Sequence, residues 1–253
     1  MRKLAGLIVI AAALALAAAA SAADSKEELR KTIQDNPDIV LDFLRDHKVE
    51  LFDIVDSGIK AKREDEKVKR RAAELARPLT PAIDPARIVM GKPDAPATVV
   101  EYSDFLCSFC ARGARIIDEL VAAHPDGVRV IYKHMPSSET SKQAALYYEA
   151  ILMQNRDKAR KFHDLAFAGQ EEIFKNKEDA LKRMAAEAKA DTQRLAADIK
   201  RKELTERLLA DDKEAREFDF QGTPSYVVNG VSIRGAQPLS DFEEIIKLTA
   251  GKR

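Results

Sequence analysis

Two cysteines, Cys107 and Cys110, stand at the join between a strand-like run and a helix-like run, and the 253-residue chain has no others. Ahead of them Ala97-Thr-Val-Val-Glu-Tyr102 reads as a buried strand with one acid in it. Behind them Ala114, Ile117, Leu120 and Val121 recur at helical spacing. A disulfide closing so short a loop restrains the unfolded chain very little, so structure alone is a poor reason for the pair. Chemistry is a better one. At a strand-to-helix junction the unpaired amides and dipole of the helix N-terminus favour an anion, which makes Cys107 the nucleophile with a lowered pKa. Cys110, one turn inside the helix and more shielded, becomes the resolving thiol that attacks a mixed disulfide. Half of a zinc site is the competing reading, but tetrahedral zinc needs four ligands; no second cysteine pair exists, and His47, His124, His134 and His163 are scattered. No metal and no cofactor is expected.

Export explains why a cysteine-poor chain would keep these two. Arg2 and Lys3 precede an apolar, mostly alanine run from Leu4 to Ala20, followed by the small-residue pattern Ala20-Ser21-Ala22. That is the grammar of a cleaved secretory leader, residues 1–22. The run is near the lower limit for a spanning helix, yet polar residues follow the small-residue site directly and no Cys lies there to carry lipid, so no stable membrane anchor is expected. Cleavage removes two positive charges from a balance of 42 Lys+Arg against 42 Asp+Glu, leaving a slight negative excess. Such a balance argues against a nucleic-acid partner held by bulk positive charge.

Beyond the leader the chain divides into three. Residues 23–77 are highly charged and repeat apolar residues at helical spacing, with Asn36-Pro37 as cap and first residue of a helix. Separate helical stretches are expected around Leu51–Ile59 and Val68–Leu75, joined by a charged connector at 60–67. One apolar stripe in a segment of this size needs a partner surface. A solvated arm folded back on its own domain is one solution; self-association into a dimer or trimer is the favoured one, since Leu51, Phe52, Ile54 and Val55 make a broad apolar patch. The proline-rich segment 78–86 reads as a linker. Residues 87–253 then give strand, strand, helix, strand, a helical insertion at about 141–217, two strands joined at Asn229-Gly230, and a closing helix. The fold class is α/β.

Two further features lie near the pair in sequence or in pattern. Glu101, a lone carboxyl in an apolar strand, would have a raised pKa if buried and could relay the proton of Cys110; alternatively it is an edge-strand acid facing water. Gln221-Gly222-Thr223-Pro224-Ser225 precedes a strand, where Pro is most often a plain turn residue.

Taken together, Glu101-Tyr-Ser-Asp-Phe-Leu-Cys107-Ser-Phe-Cys110, the helical insertion and the late Gly222-Thr223-Pro224 resemble the DsbA-like branch of the thioredoxin superfamily, over roughly Ile88 to Thr249. The helical N-terminal extension resembles the oligomeric periplasmic proteins of the suppressor-of-copper-sensitivity C type. The resemblance implies a thioredoxin fold with a helical insertion, preceded by an all-helical N-terminal segment, in the periplasm. It also implies that Glu101 is the buried acid and that Thr223-Pro224 is a cis peptide facing the cysteines, its Thr223 backbone binding extended substrate as an added strand.

This chain departs from the family in having Ser108-Phe109 between the cysteines. Phe109 brings no positive charge, so a less oxidising disulfide is expected, and its ring offers an apolar lip to unfolded substrates beside Ser108. The expected activity is thiol–disulfide exchange on unfolded or wrongly disulfide-bonded exported proteins, with a membrane thiol redox partner. Isomerase or reductase is the preferred direction and dithiol oxidase the alternative. A copper-tolerance protein binding Cu(I) through its two thiolates is the reading from another class.

Overall fold

A computed structural model describes residues 25–251; the leader lies outside the described residues. Two compact units divide the chain, one ending at Lys67 and the other beginning at Val68. The division falls inside a helix, ahead of the proline-rich segment.

In the first unit residues 25–35 are helical (α1), followed by α2 (Asp38–Asp46) and the larger part of α3 (Lys48–Ala76). Pro37 is the cap of α2, one position off the expected start, and no residue of α2 is buried. The expected connector at 60–67 is instead continuous helix. Apolar periodicity is blind to such a stretch: its Lys, Arg, Glu and Ala residues are good helix formers whatever their face, and on the solvated side Lys60 pairs with Asp56 at 2.7 Å and Lys62 with Glu66 at 3.9 Å, both at i,i+4 spacing and each adding only a few tenths of a kcal/mol. Phe43, Phe52, Ile54 and Val55 are all more than half exposed, so this unit buries little of its own apolar surface.

The second unit carries a five-stranded mixed sheet in the order β1-β3-β2-β4-β5. Its strands are β1 (Ile88–Met90), β2 (Ala97–Ser103), β3 (Val128–His134), β4 (Ser225–Val228) and β5 (Val231–Arg234). β2 and β3 are parallel, and the other pairings are antiparallel. Between β2 and β3 runs α4 (Ser108–Ala123); α10 (Leu239–Thr249) closes the chain. The insertion comprises α5 (Glu139–Leu152), α6 (Arg156–Ala168), α7 (Gln170–Glu187), α8 (Thr192–Asp198) and α9 (Lys202–Glu217). The thioredoxin fold with a helical insertion is therefore present as expected.

Every residue of β2 is buried, and its side chains alternate between two cores. Val99 joins Ile117 and Leu120 of α4, Tyr148 of α5 and Phe162 of α6 on one face; Val100 and Tyr102 join Ile131, Phe220 and Val227 on the other. Each such side chain, fully buried, contributes roughly 1.5–3 kcal/mol of transfer free energy. The insertion is tied on by charge as well. Arg87 is buried and donates to both oxygens of Asp211 on α9, at 2.7 and 2.6 Å, and to Glu149 on α5 at 2.8 Å.

The proline-rich segment is not a free tether. Leu79 N donates to the Gly230 carbonyl at 2.8 Å, and Ala82 N to Glu214 at 2.7 Å. Just before it, the buried carboxylate of Glu74 accepts from both the amide and the hydroxyl of Ser232, each at 2.7 Å. The last turns of α3 thus belong with the sheet.

Candidate active site

The loop from β2 into α4 is built around two buried side chains that point inward on either side of it. Asp104 accepts from Leu106 N at 2.8 Å with one oxygen, and from Ser137 N at 2.8 Å and Ser137 Oγ at 2.6 Å with the other. Phe105 sits among the rings of Tyr132, Tyr148 and Phe167, with centroids 5.4, 5.6 and 5.2 Å away. Fixed by these anchors, Cys107 takes an extended conformation (φ −82°, ψ 120°) as the cap of α4. Cys110 follows one turn inside.

The two sulfurs, both free thiols, lie in opposite environments. Cys107 is partly exposed, whereas Cys110 is 0% exposed. The Cys110 thiol, then Thr223 and the amides of Cys110 and Phe109, hydrogen-bond to Cys107 and outweigh its partial burial, bringing its pKa from 9.0 down to about 5. Burial, reinforced by the bond to Cys107, drives Cys110 far upward. No cation at Phe109 is needed for this, because the helix terminus and the second thiol supply the stabilisation.

Opposite the pair, the Thr223–Pro224 peptide is cis, and Cys107 Sγ lies 3.5 Å from the Thr223 carbonyl oxygen. Gly113, on the face of α4 that crosses this point, leaves the room needed: a Cβ there would meet Tyr226 Oη at 2.2 Å and Pro224 Cγ at 3.2 Å. Ser108 and Phe109 are exposed at the start of α4, and the Arg112 guanidinium lies 4.8 Å from the centre of the Phe109 ring.

Glu101 is not an edge acid. β2 is paired on both sides, Glu101 stands in register with Tyr132 on β3 and Tyr226 on β4, and it is 1% exposed. Burial is the main reason its pKa rises from 4.5 to about 8. Its Oε1 has no hydrogen-bond partner among the described residues, and neither have the hydroxyls of Tyr132 and Tyr226; the neighbouring Ser103 hydroxyl holds the rise back in part. With no ion pair to the carboxyl, Ser103 and the charge of Arg160 offset burial only in part, so the acid is mostly protonated at pH 7 with a minor ionised fraction.

The structure thus brings Cys107, Cys110, Thr223 and Pro224 together, sets Glu101 on the sheet face that α4 covers, and leaves Ser108 and Phe109 on the rim. Sequence reasoning missed Asp104, Gly113, Ser137, Gln170 and Tyr226. A buried Asp just before the pair and a Gly inside an apolar helix were the signals on offer; Ser137, Gln170 and Tyr226 gave none. Among the described residues, no three His, Cys, Asp or Glu side chains are grouped to hold a metal ion.

Two cysteines that merely crosslinked a chain would have no need of one ionised, accessible sulfur and one sealed, neutral one. That asymmetry, on a sheet of this order with a cis-proline opposite the pair, defines a class by its fold, the thioredoxin-fold proteins. A family model described as Thioredoxin matches residues 84–248, and the chain belongs to the thioredoxin family. It is 32% identical over 188 residues to the Na(+)/H(+) antiporter NhaA 1 of Mycolicibacterium gilvum, a match spanning 71% of this chain but only 28% of that protein. It is 30% identical over 149 residues to the probable disulfide bond formation protein D of Bacillus cereus, covering 56% of this chain and 69% of the other. The crystal structure of Proteus mirabilis ScsC in a transitional conformation superposes with a TM-score of 0.56 at 21% identity, covering 91% of this chain and 99% of that one. The DsbA-like and ScsC-like likeness is one of fold.

Proposed function

We propose that the protein exchanges thiols and disulfides in exported proteins, in the periplasm, acting as isomerase or reductase. The observation that carries exchange is the opposite setting of the two thiols, Cys107 partly exposed at the start of α4 with its pKa down to about 5 and Cys110 buried with its pKa upward; the isomerase or reductase direction is supported by the exposed apolar residues of the first unit, which favour an oligomer. At neutral pH Cys107 is a thiolate. It attacks one sulfur of a client disulfide; that S–S bond breaks, a Cys107–client disulfide forms, and the other client sulfur leaves as thiolate. If a different client thiolate then attacks the client sulfur, a rearranged disulfide forms and the Cys107 thiolate returns, with no net redox change. Otherwise Cys110, losing its proton to the minor fraction of Glu101 that is ionised at neutral pH, attacks Cys107 Sγ and releases a reduced client. The resulting Cys107–Cys110 disulfide then requires a membrane thiol partner as reductant. Thr223 offers backbone to an extended client strand, and Phe109 an apolar contact.

A second reading, dithiol oxidase, is favoured by the same stabilised thiolate, because a stable reduced form makes a more oxidising disulfide. Similarity to a probable disulfide bond formation protein supports exchange in either direction. Refolding of scrambled and of fully reduced ribonuclease, run in parallel, separates the two. The proposal predicts recovery from the scrambled substrate; activity confined to the reduced one would refute isomerisation.

The exposed apolar residues of the first unit support self-association through residues 23–77. Light scattering is expected to find an oligomer for the chain from residue 23 and a monomer for a chain beginning at Val68, the start of the second compact unit. The same mass per particle, in subunits, for both would sink the idea.

A further inference from the structure

One polar side chain from the helical insertion reaches the cysteine loop, and the exchange mechanism assigns it nothing. Gln170, the first residue of α7, donates through Nε2 to the Phe105 carbonyl at 2.8 Å and to the Cys107 carbonyl at 2.9 Å. A primary amide nitrogen has two hydrogens, so both are used. The Cys107 carbonyl already accepts the first bonds of α4, from Cys110 N at 3.0 Å and Ala111 N at 3.2 Å. Gln170 adds a third donor from a different element.

Three donors on one carbonyl fix the peptide plane after Cys107. That plane sets whether the amides of Phe109 and Cys110 face the Cys107 sulfur, as they do here. The second carbonyl in the clamp belongs to Phe105, whose ring is the buried anchor of the loop. A single side chain therefore ties the anchored end of the loop to its reactive end. It also makes the loop geometry depend on the insertion, since Gln170 is held by α7 and not by the sheet.

We propose that Gln170 is a positioning residue for the exchange reaction, holding the Cys107 main chain in the conformation that presents the helix amides to its thiolate. This rests on the exchange reading above. Loss of the clamp lets the Cys107 peptide turn, weakens the amide bonds to sulfur and destabilises the reduced form. The sign follows. The Cys107 pKa rises, and the equilibrium with glutathione moves toward the Cys107–Cys110 disulfide.

The test compares wild type with Gln170→Met, which keeps length and loses both donors, and with Gln170→Ala. The pH dependence of Cys107 alkylation and the oxidised fraction in glutathione buffers are read for each, alongside thermal melting. Losing one or two ordinary hydrogen bonds predicts an upward pKa movement of about 0.5–1 unit and a roughly 3- to 10-fold shift of the glutathione equilibrium. If the Met variant fails to fold, the Ala variant decides, since Gln170 is only partly buried at a helix start. Alkylation and glutathione values equal to wild type, however far melting falls, would overturn the proposal. A wild-type pair that does not exchange with glutathione at all would instead overturn the reading beneath it.

Discussion

Replacing Cys107 by Ser is expected to abolish exchange, with a loss on the order of 10³-fold or more, because a hydroxyl in that position does not ionise in the working range. Replacing Cys110 has a different signature. The attacking thiolate survives but its escape is gone, so mixed disulfides with clients accumulate and are released by reductant on non-reducing gels. The choice of substituent matters here. The Cys110 thiol is the largest single cause of the depressed Cys107 pKa, so Cys110→Ser, which keeps a donor, holds Cys107 more acidic than Cys110→Ala, which has none. Trapping by the Ala variant should therefore slow more steeply as pH falls below neutrality. Equal trapping by both at every pH would show that Cys110 does not stabilise the thiolate.

Glu101→Gln is expected to make the protein more stable and less active. In the folded state the pKa is raised from 4.5 to about 8, so between those values the folded protein holds a proton that the unfolded chain has released. Stability is fully present below the unfolded pKa, falls as pH rises and levels off once the folded pKa is passed. At pH 7 the penalty is about 3 kcal/mol, as an order of magnitude. A neutral amide of the same shape avoids it. Thermal melting at pH 5 and pH 8.5 should therefore show a gain for the variant that is small at the lower pH and large at the higher. Exchange should move the other way, by about 10²-fold, through loss of a proton acceptor for Cys110. A variant neither stabilised at pH 8.5 nor slowed would show that Glu101 is hydrated and idle.

How much of this was legible in the sequence depended on the distance over which each interaction acts. Cys107 and Cys110 declare themselves because one strand-to-helix junction places both, whereas Glu101 reads equally as a buried acid or an edge-strand one until likeness to a family favours burial. The cis peptide at Thr223–Pro224 lay beyond what a lone Pro can signal, and only likeness to a family pointed to it. Asp104, Ser137 and Gln170 were invisible as site residues because their partners come together only when β3 and the insertion fold onto the loop. A surface-looking glutamine at a helix start carries no mark of the carbonyls it will meet. Gly113 is a related case: its need for space comes from Tyr226, on a strand contributed by the far end of the chain. The connector expected within α3 differs for the opposite reason, since its determinants are local, the helix propensity of Lys, Arg, Glu and Ala with minor help from i,i+4 charge pairs, and the apolar pattern does not record them.

The central claim is that Cys107 and Cys110 ionise separately, one as nucleophile and one as reserve. Thiolate absorbance of the reduced protein, followed from pH 3 to 11, tests it directly. The predicted trace has a single step, worth one thiolate, with its midpoint at about pH 5, and no second step near the ordinary thiol pKa of 9.0. A trace in which two thiolates appear together close to pH 9 would contradict the account.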